Sequence, residues 1–184
     1  MNIALKDIMR ASERLKPILH HTELDLSSTF SAMTGGNIYL KCENRQKTGS
    51  FKIRGASNKI AALVERGEVS SVVASSAGNH AQGVAYAAKK FGIPATIVMP
   101  QAAPIAKVQA TEGYGAKVVL AGDCYDAAYT RAREICDSEG STFLHPYNDP
   151  EVIAGQGTLG VEILGDLPTV DMIVVPAGGG GLLA

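Results

Sequence analysis

Six short apolar runs, regularly separated by longer helical stretches, constrain this chain more than any other feature. The runs are IYLKCE at 38–43, SVVAS at 71–75, TIVMP at 96–100, KVVLA at 117–121, TFLHP at 142–146 and MIVVP at 172–176. They are β-branched and apolar on both faces, the pattern of strands buried from two sides. Helical stretches are predicted at 5–15, 55–66, 79–91, 104–113, 124–139 and 150–165, several closed by a glycine (Gly67, Gly92, Gly140). Such a βαβα alternation predicts an α/β fold: a doubly wound parallel sheet with helices on both faces, because right-handed crossovers lay a helix over each strand pair. Ligands of open parallel sheets sit beyond the carboxyl ends of the strands, so the loops that follow the runs are where chemistry is sought.

Three of those loops stand out. In TGSFKIRGA, Lys52 stands at a predicted strand-to-helix junction, between Gly49-Ser50 and Gly55. A solvated surface lysine is the ordinary alternative. A helix start, however, is the positive end of the dipole and disfavours a cation, so an amine beside Phe51 is placed to have its pKa lowered from about 10.4 toward nucleophilic use. In SSAGNHAQG, small residues and the free N–H groups of a helix start form a cradle for a carboxylate or phosphate. Helix capping by Ser75, Ser76 and Asn79 accounts for the same pattern equally well. In PAGGGGLLA, four consecutive glycines follow MIVVP and offer N–H donors in a tight curve that suits a phosphate, against the simpler reading of a flexible loop. No G-x-G-x-x-G opens a helix here and no P-loop motif occurs, which argues against NAD and nucleoside triphosphates.

Composition narrows the function classes. A net charge of −1 gives no reason to expect nucleic acid as a partner. The most apolar run, MIVVPAGGGGLLA, is too short and too interrupted to span a membrane, and the charged N-terminus lacks a signal-peptide core. Cys42, Cys124 and Cys136 are odd in number and without CxxC spacing, as expected of reduced thiols in a cytoplasmic protein. His20 and His21 are adjacent, and adjacent side chains rarely converge on one metal, so no metal site is expected.

An amine placed for nucleophilic use, a carboxylate cradle and a phosphate cup are the parts that pyridoxal 5'-phosphate requires. KTGSFKIRGA, SSAGNHAQG and PAGGGGL, together with IYLKCEN, GIPATIVMP and HPYNDPEVIAGQGT, resemble in order the fold-type II pyridoxal-phosphate enzymes, the tryptophan synthase β-subunit-like class. Within it the resemblance is to the threonine dehydratase and serine racemase branch. It implies that Lys52 is the Schiff-base lysine and the base that takes the α-proton. Phe51 would lie against the pyridine ring, Asn79 would reach its 3'-oxygen, and Gly178, Gly179, Gly180, Gly181 and Leu182 would hold the phosphate. Ser76, Ala77, Gly78, Asn79 and His80 would line the site of the substrate carboxylate. The implied reaction is elimination from a small amino-acid substrate, L-threonine and also L-serine, giving 2-oxobutanoate or pyruvate and ammonia. The alternatives are serine racemase or serine dehydratase activity, or a non-catalytic fragment that keeps the fold.

Ala77 favours elimination, because the racemase pattern has a serine there to deliver a proton from the opposite face, and Tyr147 is an aromatic where that pattern has asparagine. Glu23 departs from the family, which usually has proline there. Family chains also continue well past the tetraglycine loop, so the resemblance implies an incomplete large domain, in pieces 1–66 and 149–184, around a small domain at 67–148. A homo-oligomer is expected. An uncovered MIVVP strand would promote association, and weak cofactor binding and little turnover are expected of these 184 residues alone.

Overall fold

The structure, a computed structural model, describes residues 3–184. Its centre is a parallel sheet of β3 (Val72–Ser75), β4 (Ala95–Met99), β5 (Lys117–Leu120) and β6 (Thr142–Phe143), in the order β5-β4-β3-β6. β3 pairs with β4 from Val72 opposite Ala95 to Ser75 opposite Val98, and with β6 from Val72 opposite Thr142. Every residue of β3 and β4 is buried, as strands covered on both faces must be.

Side-chain alternation splits the core in two. Val72, Ala74, Ile97 and Met99 point to one face, where they meet Ala81, Val84, Ala85 and Ala88 of α4 (Asn79–Phe91) and Ala56 and Ile60 of α3 (Lys52–Arg66). Val73 and Val98 point to the other, against Ala128, Ala132 and Ile135 of α6 (Tyr125–Glu139). α5 (Ile105–Gly113) lies beside α4 and β5. The sheet is therefore doubly wound. A further helical layer is made where α7 (Pro150–Asp166) crosses α3 and α1 (Leu5–Leu15) packs on α7.

α3, α4 and α6 end on glycines in the left-handed region, Gly67, Gly92 and Gly140, with φ of 67°, 67° and 64°. Side chains other than glycine and asparagine rarely tolerate that conformation, which explains why these glycines mark the helix ends in the sequence.

Three strand expectations are corrected. The run at 38–43 contributes only β2 (Tyr39–Lys41), which pairs antiparallel with β1 (Leu24–Leu26) in a separate two-stranded ribbon. β1 and the short helix α2 (Ser28–Thr34) lie in sequence that shows neither a long apolar run nor a full helical period. β6 is two residues long, an edge strand whose continuation meets Pro146, which has no N–H to donate. The run at 172–176 forms no strand, and Met172 and Val174 are 78% and 85% exposed. A β-branched run becomes a buried strand only where a neighbour takes up its backbone groups, and among the described residues none pairs with it.

Candidate active site

Lys52 opens α3. Gly49, at φ 70°, turns the approach so that its N–H reaches the Gln46 carbonyl, and Ser50 Oγ then accepts from the Lys52 backbone N–H at 3.3 Å. The side chain is half-buried, its Nζ donates to the Pro146 carbonyl at 2.7 Å, and it stands 5.5 Å from the centre of the Phe51 ring. Burial lowers the Lys52 pKa from the ordinary lysine value, so the amine loses its proton more readily than a solvated one.

Two features of KIRGA hold this amine in place. Arg54 is fully buried between two carboxylates: Nε and Nη2 donate to Glu43 at 2.8 Å, while Nη1 and Nη2 donate to Glu162 at 2.6 and 2.9 Å. Burial opposes its charge, but Glu43 and Glu162 outweigh that cost and raise the Arg54 pKa above the usual arginine value. Glu43 stands 11 residues before Arg54, but Glu162 lies 108 residues away, so a local reading of the sequence does not pair it with Arg54. Gly55 is where α3 crosses α7: a Cβ there would stand 2.7 Å from the Val152 carbonyl, and one on Gly155 would stand 2.7 Å from the Arg54 carbonyl. The glycine after the lysine thus serves helix packing.

α4 comes equally close. A Cβ on Gly83 would stand 3.1 Å from the backbone of Lys52 and Ile53, so the first turns of α4 lie against the start of α3. Gly78 is its N-cap and offers no side-chain acceptor, which leaves the first N–H groups of the helix without a side-chain cap. Ser76 Oγ accepts from the Gly78 N–H at 3.2 Å. Ser76, Ala77 and Gly78 are half-buried and Asn79 is exposed. His80 is buried, with Nε2 3.1 Å from the Leu144 carbonyl, which can only accept; Nδ1 has no partner. Burial, the largest effect, and the nearby Lys52 and His145 push its pKa down to about 4, so the ring is neutral at pH 7. The His80 imidazole is therefore committed to the protein, and the group it can offer an anion is its backbone N–H.

Phe51, Lys52, Pro146, Tyr147, Gln156 and Gly178–Leu182 line a cleft of about 180 Å³. The structure thus brings the amine, the aromatic ring and the glycine loop to one cavity, although neither β2 nor the run at 172–176 belongs to the parallel sheet. Ser76–His80 do not line that cleft; they adjoin it through the α3–α4 contact. Pro146 and Gln156 escape a residue-by-residue reading of the sequence. Gln156 is buried, with Oε1 accepting from the Gly55 N–H at 3.2 Å, and Pro146 matters through its carbonyl, which no side-chain pattern reveals. A larger cavity of about 250 Å³ between α1, α3 and α7 is lined by Arg10, Arg14 and Arg66, but Arg14 is paired with Glu65 and Arg66 with Glu68 and Glu151. Among the described residues, that cavity is lined by no lysine, cysteine, serine or threonine.

The cleft fits pyridoxal phosphate on its own chemistry. An amine with a lowered pKa faces a loop in which Gly178 and Gly180 have open space where a Cβ would stand, so backbone donors can approach an anion closely. The family model described as pyridoxal-phosphate dependent enzyme matches residues 15–184. L-threonine ammonia-lyase of Thermotoga maritima is 59% identical over 182 residues, covering 99% of this chain and 45% of that protein. The solved structure of maize serine racemase superposes with a TM-score of 0.95 at 39% identity, over 100% of this chain and 56% of that one. The solved threonine deaminase of T.th. gives a TM-score of 0.89 at 41% identity, over 98% and 58%. The chain spans about half the length of the curated relatives it matches.

Proposed function

We propose that this chain, which belongs to the pyridoxal-phosphate dependent enzyme family, forms the lysine-bearing part of a threonine dehydratase that converts L-threonine to 2-oxobutanoate and ammonia, and L-serine to pyruvate and ammonia. The observation that carries this reading is the half-buried Lys52 amine, held by the Pro146 carbonyl in a cleft shared with four consecutive glycines. When bound, the cofactor supplies an electron sink for the charge left on the substrate's α-carbon. Lys52 would be the covalent attachment point and the base that removes the α-proton, a role that its lowered pKa favours. Phe51 would lie against the cofactor ring and Gly178–Gly181 with Leu182 would hold its phosphate, all of them lining the cleft; Asn79, on the adjoining helix start, would reach its 3'-oxygen. Ser76, Gly78, Asn79 and His80 receive the substrate carboxylate, His80 through its N–H, at a helix start with no side-chain cap to compete. The β-hydroxyl would leave with a proton as water, and a water would then hydrolyse the released enamine to the keto acid and ammonia.

Racemisation is the second reading, supported by the likeness to maize serine racemase. Ala77 speaks for elimination, since it cannot return a proton from the face opposite Lys52. The division into a large domain at 1–66 and 149–184 and a small domain at 67–148 agrees with the parallel sheet lying wholly within 72–143 and with α1, α3 and α7 packing together. A cytoplasmic homo-oligomer completes the proposal: Leu26, Phe30 and Met33 are exposed apolar side chains on one ribbon and its helix, and no described helix is long and apolar enough to cross a membrane.

The test is a substrate panel on the complete enzyme of which this chain would form the lysine-bearing part, saturated with pyridoxal phosphate, with keto acids quantified and residual amino acids resolved by chirality. Keto acid from L-threonine should far exceed any D-amino acid, and Ala77→Ser should raise the D-serine to pyruvate ratio. D-serine forming faster than pyruvate in the parent would establish racemisation instead.

A further inference from the structure

The geometry points to Tyr147 as a positioning residue on which the glycine loop is moulded, so that one peptide segment, Pro146–Tyr147, sets the spacing between the Lys52 amine and the loop's backbone donors. This rests on the reading of the cleft as a cofactor site. The four glycines are not equivalent. A Cβ on Gly179 would stand 2.5 Å from Cδ1 and 2.6 Å from Cγ of the Tyr147 ring, and one on Gly181 would stand 2.7 Å from the Tyr147 carbonyl oxygen and 2.8 Å from its Cβ. Gly178 and Gly180 have nothing within 4 Å, and Gly180 alone of the four is in the left-handed region, at φ 83°. Gly179 and Gly181 are therefore required by Tyr147, while Gly178 and Gly180 leave the ligand side open.

Tyr147 is itself fixed. His145 Nδ1 accepts from the backbone N–H of Tyr147 at 3.3 Å and of Asn148 at 2.8 Å, and the two rings meet edge to face at 4.6 Å. The preceding residue's carbonyl holds Lys52 Nζ at 2.7 Å, and Leu144 is anchored by the His80 ring and by its own N–H to Val73. Amine and loop are thus registered through adjacent residues of a single turn.

A double-mutant cycle tests this, read by pyridoxal phosphate affinity from cofactor absorbance and, without cofactor, by the NMR shifts of the loop glycines. In the Tyr147 background Gly179→Ala should weaken binding by about tenfold or more; in the Tyr147→Ala background the same change should cost nothing, because the ring it strikes is gone. Gly181→Ala, which strikes backbone, should be damaging in both backgrounds. The Gly179 α-protons should lose a ring-current shift in Tyr147→Leu, and Tyr147→Phe should restore it. Equal costs of Gly179→Ala in both backgrounds, or Gly179 shifts indifferent to Tyr147→Leu, would overturn the inference. A parent chain that binds no pyridoxal phosphate would refute the cofactor reading alone, and the glycine shifts would still decide the role of Tyr147.

Discussion

At His80, identity and role separate. The sequence puts this histidine in a cradle for an anion, where a protonated imidazole would be an asset, whereas the structure buries the ring and directs Nε2 at a carbonyl. Charging it would cost the desolvation of a cation beside the Lys52 amine, which is why its pKa falls from 6.5 to about 4. The consequence for stability has a definite sign. The unfolded chain takes up the proton before the native one does, so this group's contribution is fully present above about pH 6.5 and is lost as the pH falls toward about 4. His80→Gln keeps an N–H donor for Leu144 and does not titrate. It should flatten the loss of stability between those pH values, as measured by urea unfolding at a series of pH. In the parent, the His80 ring should show no titration by NMR between pH 5.5 and 8 and should carry its proton on Nε2, values that follow from a pKa near 4.

At the scale of elements, the crossing of α3 and α7 fixes where the amine stands. Gly55 and Gly155 let the two backbones touch, and Arg54 ties the start of α3 to Glu43 before it and to Glu162 on α7. Gly155→Ala should destabilise by about 1–3 kcal/mol through overpacking. Arg54→Met should cost about 3–5 kcal/mol, since it leaves two partly buried carboxylates with one partner fewer. Denaturant titrations check both, and a loss below about 0.5 kcal/mol for Arg54→Met would contradict the account. The helices of this crossing and of the sheet are legible in the sequence because their signals are local: α4 spans 79–91 as its apolar period and its terminal Gly92 predict. The crossing itself is not legible, because Gly55 and Gly155 are far apart in the chain and each reads locally only as a helix-weakening residue. β2 misleads for a related reason, since its apolar run resembles those of the parallel strands and its antiparallel partner β1 is three residues long.

For the whole molecule, the doubly wound sheet was readable from alternation, and the candidate site was readable in its parts, Lys52, the 76–80 loop and the glycine run. What joins those parts was not. Pro146 and Tyr147 bring the amine and the glycines together through a backbone carbonyl and a ring face, contacts that depend on folding rather than on residue type. On the proposed reading, Lys52, among all the lysines, is the one the fold prepares to carry pyridoxal phosphate. Borohydride reduction of the protein incubated with pyridoxal phosphate, followed by proteolysis and peptide mapping, tests it most directly. The expected result is a pyridoxyl group on Lys52 and no adduct at the cleft in Lys52→Ala; a label found instead on Lys41, Lys47 or Lys59, or retained at full yield in Lys52→Ala, would contradict it.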